Sequence, residues 1–419
     1  MSTISLFEFK RVPQNLLTDE EIKALTRSDP RLIELDYSKG EIIPQNYVGV
    51  IKPGQRTIEI LPKIYKEPIE QNRTVVTRNL LKMLDYSEFF GIHEFDFAEL
   101  AEIRDYNILE IIISIFARRL LDTLQSQPFR EYSILEEVLG TVRGRIDFNR
   151  YMNPATIHRI PCVYNERTTD NTLNRTLRYV SHLLSGTVSS DNTFSCLRNI
   201  VDELDGVSLM PVNVQQVDGI IFNRLNEQYK PFIDLCKVFL QGSGISLQHS
   251  SLETFTFVIP MERLFESFVT TLLTREKSIL PRAKVEQKPR IGYLASDTKG
   301  NRYFEMTPDN LVHIGDRLFV VDTKYKMISG VSDIQQEDAY QMYAYATTCK
   351  ADGVLLLYPD FGSGKSEKLI HLDLTAPTGY KRNTIDLYVG KVRFDYDLVS
   401  QWGEFLQHFA RLIKITIGL

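Results

Sequence analysis

One run, Arg317-Leu318-Phe319-Val320-Val321-Asp322-Thr323-Lys324, constrains the fold of this chain more than any other. Its unbroken apolar stretch reads as a strand buried on both faces, and such strands belong to sheets covered by helices. Two charges at the end of such a strand would be costly to desolvate without purpose. Side chains alternate faces along a strand, so Asp322 and Lys324 point to the same side about one pleat apart. Twelve residues separate Asp322 from Asp309, in the turn before the neighbouring strand, which can bring a second carboxylate to the same point. Spacing alone is not the signal: Pro359-Asp360 is also followed after twelve residues by Asp373, but Asp-Leu-Thr there lacks the lysine.

Two carboxylates, Asp309 and Asp322, with the main-chain carbonyl of Thr323, suit Mg²⁺, a hard cation that keeps several waters, with Mn²⁺ as a substitute. Such a metal acidifies a bound water and neutralises a phosphate oxygen, while Lys324 adds positive charge or orients the water. The expected chemistry is phosphodiester hydrolysis. Pro260 opens a helix with Leu264, Phe265, Phe268, Val269 and Leu272 on its inner side. Glu266 on that helix reads either as a further metal ligand or base, or as an exposed helix residue. Strands are expected at about 283–293, 302–306 and 317–324, a helix from about Asp333 to Cys349, and a strand at Val354–Tyr358. On that helix Gln341 and Tyr345, four apart, share a face, with Asp338 one turn earlier.

With 419 residues, 43% of them hydrophobic and 25% charged, the chain predicts two or three globular domains. Residues 1–105 form a β-rich region, with a hairpin turning at Lys52-Pro53-Gly54-Gln55. Residues 106–250 are expected to be mainly helical, with helices at about 172–185 and 224–241 closed by Gly186 and Gly242 in left-handed C-caps. A polar break, Gly242 to Ser246, precedes residues 251–419. The fold class is therefore α+β and multidomain.

No stretch approaches the roughly 18 apolar residues of a membrane helix, and the first residues do not resemble a secretory signal. The expected setting is the cytoplasm, without membrane contact. Four scattered cysteines and histidines without ligand spacing argue against zinc, so any metal should be held by oxygen. Net charge is −5, but residues 261–419 carry 21 basic against 20 acidic side chains. Arg282, Lys284, Lys288 and Arg290 lie in their most basic stretch, which reads as a phosphate track or as a solvated helix end and edge strand. Gly362-Ser363-Gly364-Lys365-Ser366 imitates the end of a phosphate-binding loop, but Pro359 stands where the first glycine is required, so no bound nucleotide is expected.

The Gln341-x-x-x-Tyr345 spacing resembles the helix motif of RecB-like nucleases, and residues 261–358 resemble the PD-(D/E)xK nuclease superfamily, whose core is a helix, a mixed sheet and a second helix. Three further blocks, Ile58 to Ile64, Val142 to Phe148, and Cys162 to Glu166 with Asp170 and Asn174, look like those of the McrC family, the nuclease subunit of the McrBC restriction system. The resemblance implies a Mg²⁺-dependent endonuclease cutting methylcytosine-containing double-stranded DNA, with a McrB-type AAA+ GTPase hexamer as partner and Gln341 and Tyr345 supporting the site. Residues 1–105 and the Arg143-Gly144-Arg145 loop, otherwise a turn with two solvated arginines, become candidates for touching the partner. Two other readings stay open: a RecB-like nuclease acting alone, and a scaffold and GTPase activator with a silent site.

Overall fold

The computed structural model describes residues 3–53, 56–62, 69–87, 89, 107–151, 158–245, 252–360, 370–378, 380 and 383–417. Gly54, Gln55, the end of the Ile58–Ile64 block and the Gly362–Ser366 motif lie outside them. The chain divides into two compact units: residues 1–105 with 258–419, and residues 106–257. The β-rich beginning therefore belongs to the same unit as the last third, where the sequence reading has a separate region.

The first segment runs β1 (Thr3–Phe7), β2 (Val12–Pro13), α1 (Asp19–Ser28), β3 (Ile33–Asp36), β4 (Glu41–Pro44), β5 (Tyr47–Pro53), β6 (Thr57–Leu61) and α2 (Ile69–Tyr86). Strand β6 lies parallel to β1 and antiparallel to β5, while β3 and β2 flank β4. Helix α1 starts at a capping box in which Thr18 and Glu21 satisfy each other's backbone N–H. Leu6, Leu25, Ile42, Ile51, Ile58 and Ile60 meet in a core from which water is excluded.

The second unit contains α3 (Ile108–Ser126), β7 (Glu131–Leu139), β8 (Arg145–Ile146), α4 (Phe148–Tyr151), β9 (Ile160–Thr168), α5 (Thr172–Ser185), α6 (Asp191–Glu203), α7 (Val214–Asp218), α8 (Lys230–Gly242), β10 (Ser243–Ile245) and β11 (Leu252–Pro260) as far as Phe257. It is helical as expected, but it also holds an antiparallel sheet in the order β7-β9-β8. The glycines end helices for reasons other than those expected. Gly186 keeps a right-handed φ of −76°. Gly242 is required because a Cβ there would lie 1.7 Å from the Thr256 carbonyl oxygen. The chain leaves this unit along β11.

It then forms α9 (Met261–Arg275), β12 (Lys284–Gln287), β13 (Gly292–Ser296), β14 (Arg302–Met306), β15 (Asn310–Ile314), β16 (Arg317–Thr323), α10 (Gln336–Cys349), β17 (Gly353–Asp360), β18 (Ile370–Thr375), β19 (Thr384–Arg393) and α11 (Trp402–Ile417). Six strands make a mixed sheet in the order β12-β15-β16-β17-β19-β18. β15 and β16 are antiparallel, whereas β16, β17 and β19 run parallel, with α10 as the crossover from β16 to β17. The apolar run behaves as its sequence demands: Phe319, Val320 and Val321 are at most 2% exposed. Met342, Tyr345 and Ala346 of α10 pack into the core with Val320, Val354 and Leu356. Beside α9, Phe265, Phe268, Phe394, Trp402 and Phe405 form an aromatic cluster. The expected strand at 283–293 is broken in two, because Lys288 takes a φ of +43° before Pro289.

Candidate active site

At the end of β16 the chain changes from apolar to charged, and three side chains meet there. Asp322 is 2% exposed, and Lys324 Nζ lies 2.7 Å from its Oδ2. The two therefore share a face, as the strand alternation predicts. Asp309, in the turn before β15, reaches the same strand end: its Oδ2 accepts hydrogen bonds from the Thr323 N–H at 2.8 Å and the Thr323 hydroxyl at 2.6 Å. The Asp309 N–H in turn donates to the Asp322 carboxylate. Pairing of Asn310 with Val321 in the β15–β16 ladder places the two aspartates next to one another.

Burial and the adjacent Asp309 charge push the Asp322 carboxyl up to about 6, against the pull of Lys324. For Lys324, burial favours the neutral amine, but Asp322, Asp309 and Asp338 outweigh it and hold its pKa above the usual value. Asp322 Oδ2 is closed off from water and has no aligned hydrogen-bond donor, its contact with Lys324 being an ion pair. Two carboxylates face one ammonium, leaving one negative charge over. An all-oxygen donor set with surplus negative charge fits a hard divalent cation.

Gln341 donates to the Tyr345 hydroxyl at 2.8 Å, and that hydroxyl reaches the Thr307 carbonyl, two residues before Asp309, at 3.4 Å. The Tyr345 hydroxyl is pushed up by burial and feels the charges of Asp322, Lys324 and Asp309. Glu266 on α9 is pushed up by burial and then by Asp309, which puts it within electrostatic reach of the aspartates. Its carboxylate pairs with Lys288 at 2.8 Å. A network absent from the sequence reading stands beside these groups: buried Asp338 accepts from the Tyr358 hydroxyl at 3.1 Å and from Lys326 Nζ at 3.2 Å. No sequence period announces it, because Lys326 lies beyond the end of β16 at Thr323.

The expected basic track is largely neutralised. Lys284 pairs with Glu286, Lys288 with Glu266, and Arg290 with Glu305. Arg282 is exposed and, among the described residues, has no acidic partner. In the second unit Arg143 pairs with Glu166 at 3.1 Å and lies 4.0 Å over the Tyr164 ring. The intervening glycine is not a loose hinge: Gly144 has a φ of +69°, and a Cβ there would come within 2.6 Å of Tyr164 and Val163. Arg145 is exposed and opens β8.

Among the described residues, the group of three acidic or histidine ligands with atoms within 4.8 Å of one another is His371, Asp373 and Asp386, not Glu266 with the two aspartates. It sits on β18 and β19, with Asp373 opposite Asp386. The His371-x-Asp373 spacing is its local trace in the sequence, while Asp386 joins only through the β18–β19 pairing.

Residues 42–359 match the family described as McrBC 5-methylcytosine restriction system component. No curated protein matches the chain in sequence. Among solved structures, a chain of the refined half-complex from the tetradecameric assembly of Thermococcus gammatolerans McrB AAA+ hexamers with bound McrC is similar over 99% of this chain and 100% of its own, with a TM-score of 0.73 and 20% identity. A chain of the cryo-EM structure of the Thermococcus gammatolerans McrBC complex covers 65% of this chain and 88% of its own, with a TM-score of 0.52 and 21% identity. At these identities the likeness is one of fold. No described helix is long and apolar enough to cross a membrane.

Proposed function

The chain belongs to the McrBC 5-methylcytosine restriction system component family, and we propose that it is the DNA-cutting subunit of such a system, a Mg²⁺-dependent endonuclease for methylcytosine-containing duplexes. The observation that carries this reading is the convergence of Asp309, Asp322 and Lys324 at one end of a buried strand. No structural economy explains two carboxylates and an ammonium where apolar side chains would cost less.

Asp309 and Asp322, with the Thr323 carbonyl, would hold Mg²⁺ or Mn²⁺, which supplies Lewis acidity and a water of lowered pKa. Thr323 fixes the Asp309 carboxylate through two donors, so its orientation is set before any ligand arrives. Lys324 remains an ammonium at neutral pH and is suited to hold the attacking water or offset charge building on the phosphate. We give Glu266 the part of a base or further ligand, which its electrostatic reach to Asp309 supports, while Gln341 with Tyr345 ties α10 to the turn carrying Asp309. We assign Arg282, Lys284, Lys288 and Arg290 to the DNA backbone, where phosphates would displace the acidic partners of the last three.

A McrB-type AAA+ GTPase hexamer is the partner this reading requires, as in the Thermococcus gammatolerans assembly of McrB hexamers with bound McrC. The turn bearing Arg143 and Arg145 is our candidate contact, and stimulation of GTP hydrolysis its expected consequence. The test is cleavage of methylated against unmethylated plasmid by the purified chain, with and without the GTPase, GTP and Mg²⁺. Asp309→Ala or Lys324→Ala should abolish cutting and leave complex formation intact; undiminished cutting by both variants would reject the assignment.

A further inference from the structure

Between β12 and β15, which are neighbours in the main sheet, the chain leaves that sheet and builds a separate hairpin, β13 with β14. Gln287 pairs with Asn310 at the end of the β12–β15 ladder, and the Lys288 N–H donates to the Asp309 carbonyl at 2.9 Å. The hairpin therefore springs from the sheet end that carries Asp309. Its base is fixed: Met306 is buried, and Gly292 lies so near α10 that a Cβ would stand 3.2 Å from Thr348 Cγ2.

Further out it is built against the usual rules. Tyr293 opposes Glu305 and Ala295 opposes Tyr303, so Leu294 and Phe304 occupy the facing positions between them. Leu294 is 64% exposed and Phe304 73%. Phe304 also holds a φ of +59°, a left-handed conformation that a bulky residue rarely adopts. The chain thus presents two large apolar side chains to water, one of them on strained backbone. Of the six basic side chains in residues 282–305, Lys284, Lys288 and Arg290 are paired with Glu286, Glu266 and Glu305, which leaves Arg282, Lys299 and Arg302 to favour a polyanion.

Resting on the DNA-cutting reading above, we infer that the β13–β14 hairpin is a wedge for duplex DNA, with Phe304 and Leu294 pressed against base pairs beside the cut phosphate and the surrounding cations on the backbone. Apolar wedges of this kind partly unstack a base step and fix the register of the duplex on the protein. The uncompensated cations beside the two apolar side chains, and the tie between the hairpin's base and the Asp309 carbonyl, favour a polyanion that also reaches the aspartates.

The experiment measures binding of the full chain to a short fluorescent methylated duplex by anisotropy, with Ca²⁺ replacing Mg²⁺ to hold back cutting, and in parallel cleavage of methylated plasmid by the chain together with its GTPase partner, GTP and Mg²⁺. Phe304→Gly should weaken binding about ten-fold, the scale of one lost base–aromatic contact, and Leu294→Ser by a smaller factor of about three, while Phe304→Trp should bind like the parent. Phe304→Gly should not lower the thermal midpoint, because glycine accepts the +59° backbone, so its loss of affinity would not be a folding defect. Unchanged affinity in both variants, with a parent that binds and cuts, would overturn the wedge alone. Variants that bind the duplex normally but no longer associate with the GTPase would overturn it in favour of a protein surface. A parent that neither binds nor cuts any duplex would take down the DNA-cutting reading itself.

Discussion

Asp322→Asn should make the metal-free protein more stable at neutral pH while ending its cutting activity. Asp322 is buried, and its carboxyl is pushed up to about 6 by burial and the neighbouring Asp309. An unfolded aspartate titrates near 4, and a difference of that size is worth about 3 kcal/mol against the folded state at neutral pH. The sign follows from proton uptake. Between about pH 4 and 6 the folded chain holds a proton on Asp322 that the unfolded chain has released, so stability falls as pH rises through that window and then levels off. Asparagine keeps the shape and removes the charge. The pull of Lys324 at 2.7 Å is already contained in the carboxyl value of about 6, and Lys324 keeps Asp309 and Asp338 as counter-charges, so the net gain at pH 7.5 should be about 1–3 kcal/mol. Thermal melts in EDTA between pH 4.5 and 8 would read this as a midpoint raised by roughly 2–5 °C at pH 7.5, with a smaller gap at pH 4.5. Adding Mg²⁺ should raise the parent and not the variant. An Asn variant less stable than the parent by the same margin at every pH would refute the reasoning, since the buried carboxylate would then be a net stabiliser.

Tyr345→Phe removes the acceptor of Gln341 and the contact with Thr307; a loss of about 1 kcal/mol in stability is expected, with a several-fold fall in cleavage rate, checked by melts and single-turnover cutting. Asp170 takes a bidentate pair from Arg175 and two hydrogen bonds from Ser208, with Arg175 the leading cause of a carboxyl held well below its usual range. Its stabilisation is present above the unfolded value near 4 and is lost as pH falls below it, so Asp170→Asn should cost about 1–2 kcal/mol at pH 7 and little at acid pH, measured by denaturant titration. Gly144→Ala forces a Cβ within 2.6 Å of Tyr164 on a φ of +69°; about 2 kcal/mol of destabilisation or more is expected, with GTPase stimulation lost before DNA cutting.

The strands and helices that hold the site were legible because their residues obey one period. The apolar run to Val321 demanded a buried strand, and alternation alone put Lys324 beside Asp322. Gln341 and Tyr345 met because four residues make about one helical turn. What escaped depended on partners distant in the chain or on backbone atoms. Thr323 orients Asp309 partly through its N–H, which no side-chain pattern announces. Asp338 is held by Tyr358, twenty residues away and on another strand. Strand β7 was missed because Tyr132, Ile134 and Val138 are all exposed, so its apolar residues mark no buried face. The strand expected at 283–293 hid a break because Lys288 adopts a conformation that its identity does not favour.

The unit that carries the aspartates is assembled from two stretches of chain, residues 1–105 and 258–419, with residues 106–257 between them. During synthesis the intervening unit emerges whole, whereas the first stretch must wait for its complement. Asp309, Asp322 and Lys324 all belong to the later stretch, so a nascent polypeptide that has not reached residue 309 lacks all three of these proposed metal-binding and assisting side chains, however well its first stretch has folded.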